Sequence, residues 1–217
     1  MKRFNLLFFS LFLSIILMAQ GGVKELLLHE ITSGYFKQET LQGVIPVPHE
    51  DFYTQMNDEG TQIIKYSFAT GEMVEVLFDV STARDCPFKN FDSYSFSPDG
   101  TKLLIATEIN PIYRRSYTAI HYIYNLKNNT VEPLSDGGPQ QVPLFSPDSH
   151  LIAFVRDNNI FLVKLLYNNS ESQVTQDGEY NKIINGIPDW VYEEEFAINS
   201  ALSFSEDSKL LAFIRFD

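Results

Sequence analysis

A five-residue turn motif recurs along this chain, each time directly before an apolar segment. It reads FSPDG at 96–100, FSPDS at 145–149 and FSEDS at 204–208, and MNDEG at 56–60 is a degenerate first copy. Pro and Asp followed by Gly or Ser favour tight turns, and the apolar segments after them, such as KLLIATE and HLIAFVR, have strand composition. Each copy therefore predicts two antiparallel strands joined by a short turn.

The spacing of the motif predicts the architecture. Successive copies begin 40 to 59 residues apart, and further alternating segments at 119–126 and 159–165 supply a third strand to two of the units. A sheet of three or four short strands cannot bury both of its faces alone, so units of this length stack radially as blades of a β-propeller. A β-sandwich also has evenly spaced strands, but it does not repeat one turn motif in constant phase with them.

The number of copies predicts an all-β, partial β-propeller. Four copies amount to about half of a closed ring of seven or eight blades, and a half-ring would leave a sheet edge exposed at each end. We therefore expect the chain to be a truncated piece of a longer protein. The predicted boundaries are a lead-in segment at 20–48 and propeller blades at 49–217.

The first 19 residues have the layout of a secretory signal peptide. Lys2 and Arg3 precede an apolar stretch at 4–18, and Ala19 provides a small residue for cleavage. The stretch is shorter than the ~20 residues of a membrane span, although Leu17 is large for a cleavage site and keeps an uncleaved anchor as the alternative. Both readings predict export to the periplasm or the extracellular space.

Charge and cysteine content exclude several classes of protein. The net charge of −12 argues against nucleic acid and anionic membrane surfaces as partners and favours cationic ligands. The single cysteine, Cys86, excludes a framework of internal disulfides and is predicted to be a buried or partly buried thiol. With 44% hydrophobic residues, the chain can bury a core.

The segment DWVYEEEF at 189–196 concentrates negative charge between aromatic residues. Adjacent carboxylates raise each other's pKa unless a cation or a set of donors meets them, so the cluster favours a positively charged partner. A solvated surface loop is the alternative, but the interleaved aromatic residues predict a segment with one buried side. Asp189 is a good N-cap and predicts a short helical insertion that starts there.

This segment, NGIP at 185–188, YRRSYTA at 113–119 and the FSPDG turns occur together in an order that resembles the dipeptidyl peptidase IV family of serine exopeptidases. The resemblance covers its N-terminal propeller and runs from about residue 25 to the end of the chain. It implies an eight-bladed propeller that caps an α/β-hydrolase domain, with the peptide substrate in the cavity between them. The hydrolase domain is missing from this sequence.

The resemblance also implies a substrate-binding site. Glu194 and Glu195 match the glutamates that bind the free α-amine of the substrate, and Arg114 matches the arginine that donates to a substrate carbonyl near its second residue. Arg114 alternatively serves as a structural partner that fixes Glu194 or Glu195. Arg115 stands where family members often have histidine, and Tyr113 where they often have tryptophan, so the rim of the pocket is expected to differ.

No catalytic machinery is expected in this chain. It has no G-x-S-x-G nucleophile elbow, its four histidines are predicted to be surface or packed residues, and its acids lack metal-ligand spacing with His or Cys. We therefore expect no catalytic residue, metal or cofactor here. The prediction is the substrate-recognition part of an exported dipeptidyl aminopeptidase that releases dipeptides with Pro or Ala second.

The expected partners are peptides with a free N-terminal amine, the C-terminal hydrolase domain of the same full-length chain, and a second copy in a homodimer. The competing hypothesis is a non-enzymatic propeller that binds another ligand, because propellers host many functions. Under that hypothesis the acidic segment binds a different cation or none.

Overall fold

A computed structural model describes residues 25–37, 40–166 and 169–217, so the predicted signal segment at 1–19 lies outside the described residues. The chain divides into two compact units, Met1–Gln42 and Gly43–Asp217. The first contains the short helix α1 (Leu28–Thr32), where the Glu30 carboxylate accepts from the Leu27 N–H at 3.2 Å. No helix within the described ranges is long and apolar enough to cross a membrane.

The second unit begins with three four-stranded antiparallel sheets that follow one another along the chain. The first contains β1 (Ile45–Pro46), β2 (Phe52–Met56), β3 (Gln62–Ser67) and β4 (Met73–Asp79). The second contains β5 (Ser93–Phe96), β6 (Lys102–Pro111), β7 (Tyr117–Asn125) and β8 (Thr130–Pro133). The third contains β9 (Gln141–Phe145), β10 (Leu151–Arg156), β11 (Asn159–Lys164) and β12 (Ser170–Gln173).

The remaining strands form two further two-stranded sheets, which together begin the fourth blade, and an insertion lies between them in sequence. They are β13 (Ile184–Asn185), β14 (Leu202–Phe204), β15 (Leu211–Phe213) and β16 (Arg215–Phe216). Strand β14 pairs with β15, and β13 pairs with β16. Helix α2 (Trp190–Phe196) lies between β13 and β14. The partial propeller predicted from the turn motif is therefore confirmed, with three four-stranded sheets and two strand pairs that begin a fourth blade.

The last three turn motifs are each held by their own serine and aspartate. In the second sheet the Ser97 hydroxyl donates to Asp99 Oδ1 at 2.6 Å and accepts from the Lys102 N–H at 2.9 Å, while Asp99 Oδ1 accepts from the Thr101 N–H at 3.0 Å. The serines and aspartates of the third and fourth motifs repeat this pattern. The fifth motif position is left-handed, which suits the Gly100 backbone at φ 69°.

The first sheet departs from the common order. Its motif joins β2 to β3, whereas the other motifs join the first two strands of their sheets, because the short strand β1 precedes β2 and pairs with it. Asn57 replaces the motif serine and accepts from the N–H groups of Thr61 and Gln62 at 2.8 and 2.9 Å. The degenerate motif therefore keeps the same function with a different acceptor.

The core lies between successive sheets. Along β6, the side chains of Leu103 and Ile105 pack into the cluster shared with the first sheet, and Leu104 packs into the cluster shared with the third. Along β10, Phe154 faces the second sheet and Val155 faces the fourth. Both faces of each inner strand are thus buried, which is the packing of propeller blades and not of a two-sheet sandwich.

Candidate functional site

Helix α2 is a short insertion whose two ends are capped. Asp189 accepts a hydrogen bond from the Tyr192 N–H at 3.0 Å, so the helix begins where the sequence predicts it. At the other end Ala197 adopts the left-handed conformation, and its N–H donates to the Glu193 carbonyl at 3.1 Å. The caps define which side of the helix each glutamate occupies.

Glu193 faces inward and is 2% exposed. Its Oε1 accepts hydrogen bonds from the backbone N–H groups of Arg115 at 2.6 Å and Ser116 at 2.9 Å. These residues lie in the loop 112–116 between β6 and β7, which the Ile112 N–H closes with a hydrogen bond to the Ser116 carbonyl at 2.9 Å. The helix of the fourth blade is therefore attached to a loop of the second.

The Glu193 carboxylate is stabilised in its charged form. Burial alone would raise its pKa, but contacts with Ser116, the backbone N–H groups of Arg115 and Ser116, and the Arg115 charge together hold the pKa below its usual range. The Arg115 guanidinium also donates from Nη1 to the Glu193 carbonyl oxygen at 3.2 Å. Arg115 thus contacts the helix directly, where the family resemblance led us to expect only a change at the pocket rim.

Arg114 forms an ion pair with Glu194. Its Nε lies 3.2 Å from Glu194 Oε2, and the side chains are 70% and 20% exposed respectively. The structure therefore brings together two of the three residues predicted for the site. The pair uses only Nε of Arg114, and the side chain is largely exposed. The terminal N–H groups of the guanidinium are therefore accessible to a ligand.

Glu195 is exposed and directed differently from its neighbours. Successive residues on an α-helix are about 100° apart, so Glu193, Glu194 and Glu195 cannot share one face. One carboxylate is used to attach the helix, the second pairs with Arg114, and the third remains open to solvent. This arrangement leaves Glu194 and Glu195 as acceptors outside the buried contact.

A cavity of about 1270 Å³ lies beside the helix. Its wall includes Glu193 and several aromatic side chains, Tyr113, Tyr180, Trp190, Tyr192 and Phe216. All five rings provide apolar contact area, and the tyrosine and tryptophan rings add a polar group, which suits an extended chain with mixed side chains. No group of three or more His, Cys, Asp or Glu residues in the described part of the chain could hold a metal ion.

Sequence reasoning missed the role of Glu193. Helical periodicity could have indicated that role. Residue 193 lies four positions after Asp189, so the two residues share one face of the helix. The partners of Glu193 are backbone N–H groups from a segment 77 and 78 residues earlier, and backbone donors leave no trace in residue identity.

The fold and this helix define the class of the protein: it is a partial β-propeller of four-stranded blades, with an acidic helix inserted in the fourth. The family model for the dipeptidyl peptidase IV (DPP IV) N-terminal region matches residues 97–217, which is more than half of the chain. The chain belongs to this family.

Similar proteins agree with that assignment. A probable dipeptidyl-aminopeptidase B from Colletotrichum graminicola is 46% identical over 125 residues, which cover 55% of this chain and 13% of the relative. The prolyl endopeptidase FAP of Mus musculus is 34% identical over 203 residues, which cover 91% of this chain and 25% of the relative. The chain thus spans a quarter or less of these relatives.

A solved structure also matches. The crystal structure of Porphyromonas gingivalis dipeptidyl peptidase 4 has 45% sequence identity and a TM-score of 0.78, over 89% of this chain and 28% of that chain. This likeness confirms the propeller architecture for most of the described residues.

Proposed function

We propose that this chain is the substrate-recognition part of an exported serine dipeptidyl aminopeptidase that releases N-terminal dipeptides with Pro or Ala at the second position. Glu194 and Glu195 bind the free α-amine of the peptide, and Arg114 donates to a carbonyl near the second residue. The nucleophile and its acid and base belong to an α/β-hydrolase domain of the full-length protein.

The observation that supports this proposal is the ion pair of Arg114 with Glu194 on an accessible helix. An ammonium group offers three donors, and charge-assisted hydrogen bonds to two carboxylates contribute about 1.5–3 kcal/mol each. Arg114 lies 3.2 Å from one of these carboxylates, so a cation and its acceptors are already arranged on adjacent elements. A peptide terminus has the complementary order of an ammonium followed by a carbonyl.

Fixing the amine explains why dipeptides would be the product. An extended peptide rises roughly 3.3–3.6 Å per residue, so a substrate held by its first nitrogen presents one particular peptide bond to a fixed nucleophile. The names of the relatives include both a dipeptidyl-aminopeptidase and a prolyl endopeptidase. Only the first activity requires a free amine, and this difference can be tested.

The experiment compares one peptide with and without an N-terminal acetyl group, using the native gene product expressed whole. We expect cleavage after the second residue of the free-amine peptide and a loss of at least about a hundredfold in kcat/KM on acetylation. Glu194→Gln and Glu195→Gln are expected to lower kcat/KM for the free-amine peptide. Glu206→Gln, at an exposed position of the last turn motif, is the matched control.

Two results would reject the proposal. One is equal cleavage of the free and acetylated peptides by the unmodified protein. The other is normal activity of both glutamate variants on the free-amine peptide.

A further inference from the structure

The buried Glu193 carboxylate is not used by the proposed amine site. Burying a charge is costly unless hydrogen bonds or an opposite charge compensate for it. At 2% exposure Glu193 is the most buried of the three glutamates, and its carboxylate accepts hydrogen bonds from two backbone N–H groups. These hydrogen bonds join helix α2 to the loop 112–116.

The two segments that Glu193 joins are those that carry the proposed site. Glu193 is adjacent in sequence to Glu194, and its partner Arg115 is adjacent to Arg114. The buried contact and the exposed ion pair therefore lie side by side, one residue apart on both segments. A shift of the loop relative to the helix would change both contacts together.

The exposed pair cannot fix this geometry by itself. Arg114 is a long side chain that is 70% exposed, and exposed ion pairs contribute little because ordering the side chains and solvent screening offset the attraction. The contacts of Glu193 act on the main chain of Arg115 and Ser116, at 2.6 and 2.9 Å, and so restrict the loop before any side chain is placed.

A second contact points the same way. The Arg115 guanidinium donates to the Glu193 carbonyl oxygen at 3.2 Å, so side chain and main chain of Glu193 both bind residues of the loop. Glu193 thus accepts three hydrogen bonds from two loop residues, which together define both the distance and the orientation of the loop.

We propose that Glu193 is a positioning residue that sets the separation of Arg114 from Glu194 and thereby the affinity of the amine site. This inference rests on the proposed function. In this role Glu193 acts through the loop that carries Arg114.

The test is a double-mutant cycle between Glu193→Gln and Arg114→Ala in the native gene product, with KM and kcat measured on a free-amine dipeptide substrate. Gln keeps the size of Glu193 but removes the negative charge from both hydrogen bonds. Where Arg114 is present, we expect Glu193→Gln to raise KM by about tenfold, with kcat within about twofold. In the Arg114→Ala background we expect it to change KM by less than about twofold, because the side chain that it positions is gone.

Hydrogen exchange of a peptide that covers residues 112–118 gives a readout independent of activity. The amides of Arg115 and Ser116 donate to Glu193, so Glu193→Gln is expected to speed their exchange. The matched control is Glu171→Gln on β12, which removes a carboxylate ion-paired with Arg156 at 2.6 Å. We expect this control to leave both the exchange of 112–118 and KM unchanged.

The outcomes separate the two proposals. Equal cleavage of free and acetylated peptides by the unmodified protein rejects the proposed function and, with it, the role of Glu193 in amine binding. If the unmodified protein requires the free amine but Glu193→Gln raises KM equally in both backgrounds, Glu193 has only a general structural role. Unchanged exchange of 112–118 in Glu193→Gln also overturns the inference.

Discussion

The Ser149 hydroxyl accepts a hydrogen bond from the backbone N–H of Asp99 at 3.0 Å, although the two residues belong to turns of different sheets. Ser208 makes the same contact with the Asp148 N–H, also at 3.0 Å. Ser149 and Ser208 occupy the left-handed fifth position of their motifs, at φ 61° and 59°, where glycine would be less strained. These two serines each supply a hydroxyl that links the third and fourth blades to the blade before them.

Replacing Ser149 separates the hydrogen bond from the backbone conformation. Ser149→Ala loses the bond and keeps the strain, so we expect the free energy of unfolding to fall by about 1–2 kcal/mol. Ser149→Gly loses the same bond but relieves the left-handed backbone, so we expect a smaller loss. Urea unfolding of both variants measures the difference, and a glycine variant less stable than the alanine variant would contradict this account.

The turn aspartates predict a loss of stability in acid. Burial would raise the pKa of Asp99, but hydrogen bonds from Ser97 and Thr101 and the Lys102 charge lower it from 3.8 to about 2. A group with a lowered folded-state pKa stabilises the protein above its unfolded value and loses that contribution as the pH falls through the folded value. We therefore expect this contribution to disappear between pH 3.8 and about 2.

Asp99→Asn tests this dependence. The variant should be less stable than the unmodified protein at neutral pH, and the two unfolding free energies should converge as the pH falls. Asp136→Asn, in an exposed loop, controls for the loss of one negative charge. Parallel curves for Asp99→Asn and the unmodified protein would show that the turn does not depend on the charged aspartate.

The Asp189 cap should stabilise helix α2. Asp189 accepts from the Tyr192 N–H at 3.0 Å, so Asp189→Ala leaves that donor without its partner and is expected to cost about 1 kcal/mol of helix stability. Asp189→Asn keeps an acceptor and should be close to neutral. Hydrogen exchange of residues 189–197 measures the change, and equal exchange in both variants would contradict the capping role.

Gly186 holds the chain where the insertion leaves the fourth blade. Its φ is 78°, and an added Cβ would lie 2.6 Å from Leu202 Cδ2 and 3.1 Å from Ile160 Cγ1. We expect Gly186→Ala to lower the free energy of unfolding by about 2–4 kcal/mol. Gly71→Ala is the matched control, because Gly71 has φ 71° with open space around it, and should cost only about 1 kcal/mol. Similar losses in urea unfolding would show that the clash does not matter.

The blades and the helix start were predictable from local sequence because turn chemistry and strand alternation are local properties. The FSPDG motif depends on a serine, an aspartate and a left-handed residue within five positions, and the Asp189 cap accepts from an N–H only three residues away. In the first sheet the motif joins the second and third strands. This was not predictable, because the first strand β1 has only two residues, Ile45–Pro46. The Glu193 contact was missed because backbone amides of a distant loop carry no residue signature.

The variant Arg114→Ala distinguishes a structural role of Arg114 from a role in substrate binding. The ion pair with Glu194 is largely exposed on the arginine side, so Arg114→Ala should change the free energy of unfolding by less than about 1 kcal/mol. If Arg114 binds substrate as proposed, the same variant should raise KM for a free-amine dipeptide substrate by about tenfold or more.

Lys65→Ala provides the opposite case in the first sheet. The Lys65 side chain is 12% exposed, pairs with Glu50 at 2.6 Å and lies over the Phe52 ring at 4.5 Å, so its loss should reduce stability without changing KM. If Arg114 recognises substrate, steady-state kinetics should show a raised KM only for Arg114→Ala, and urea unfolding should show a marked loss of stability only for Lys65→Ala. An Arg114→Ala protein that is destabilised as much as Lys65→Ala and keeps a normal KM would assign Arg114 to structure alone.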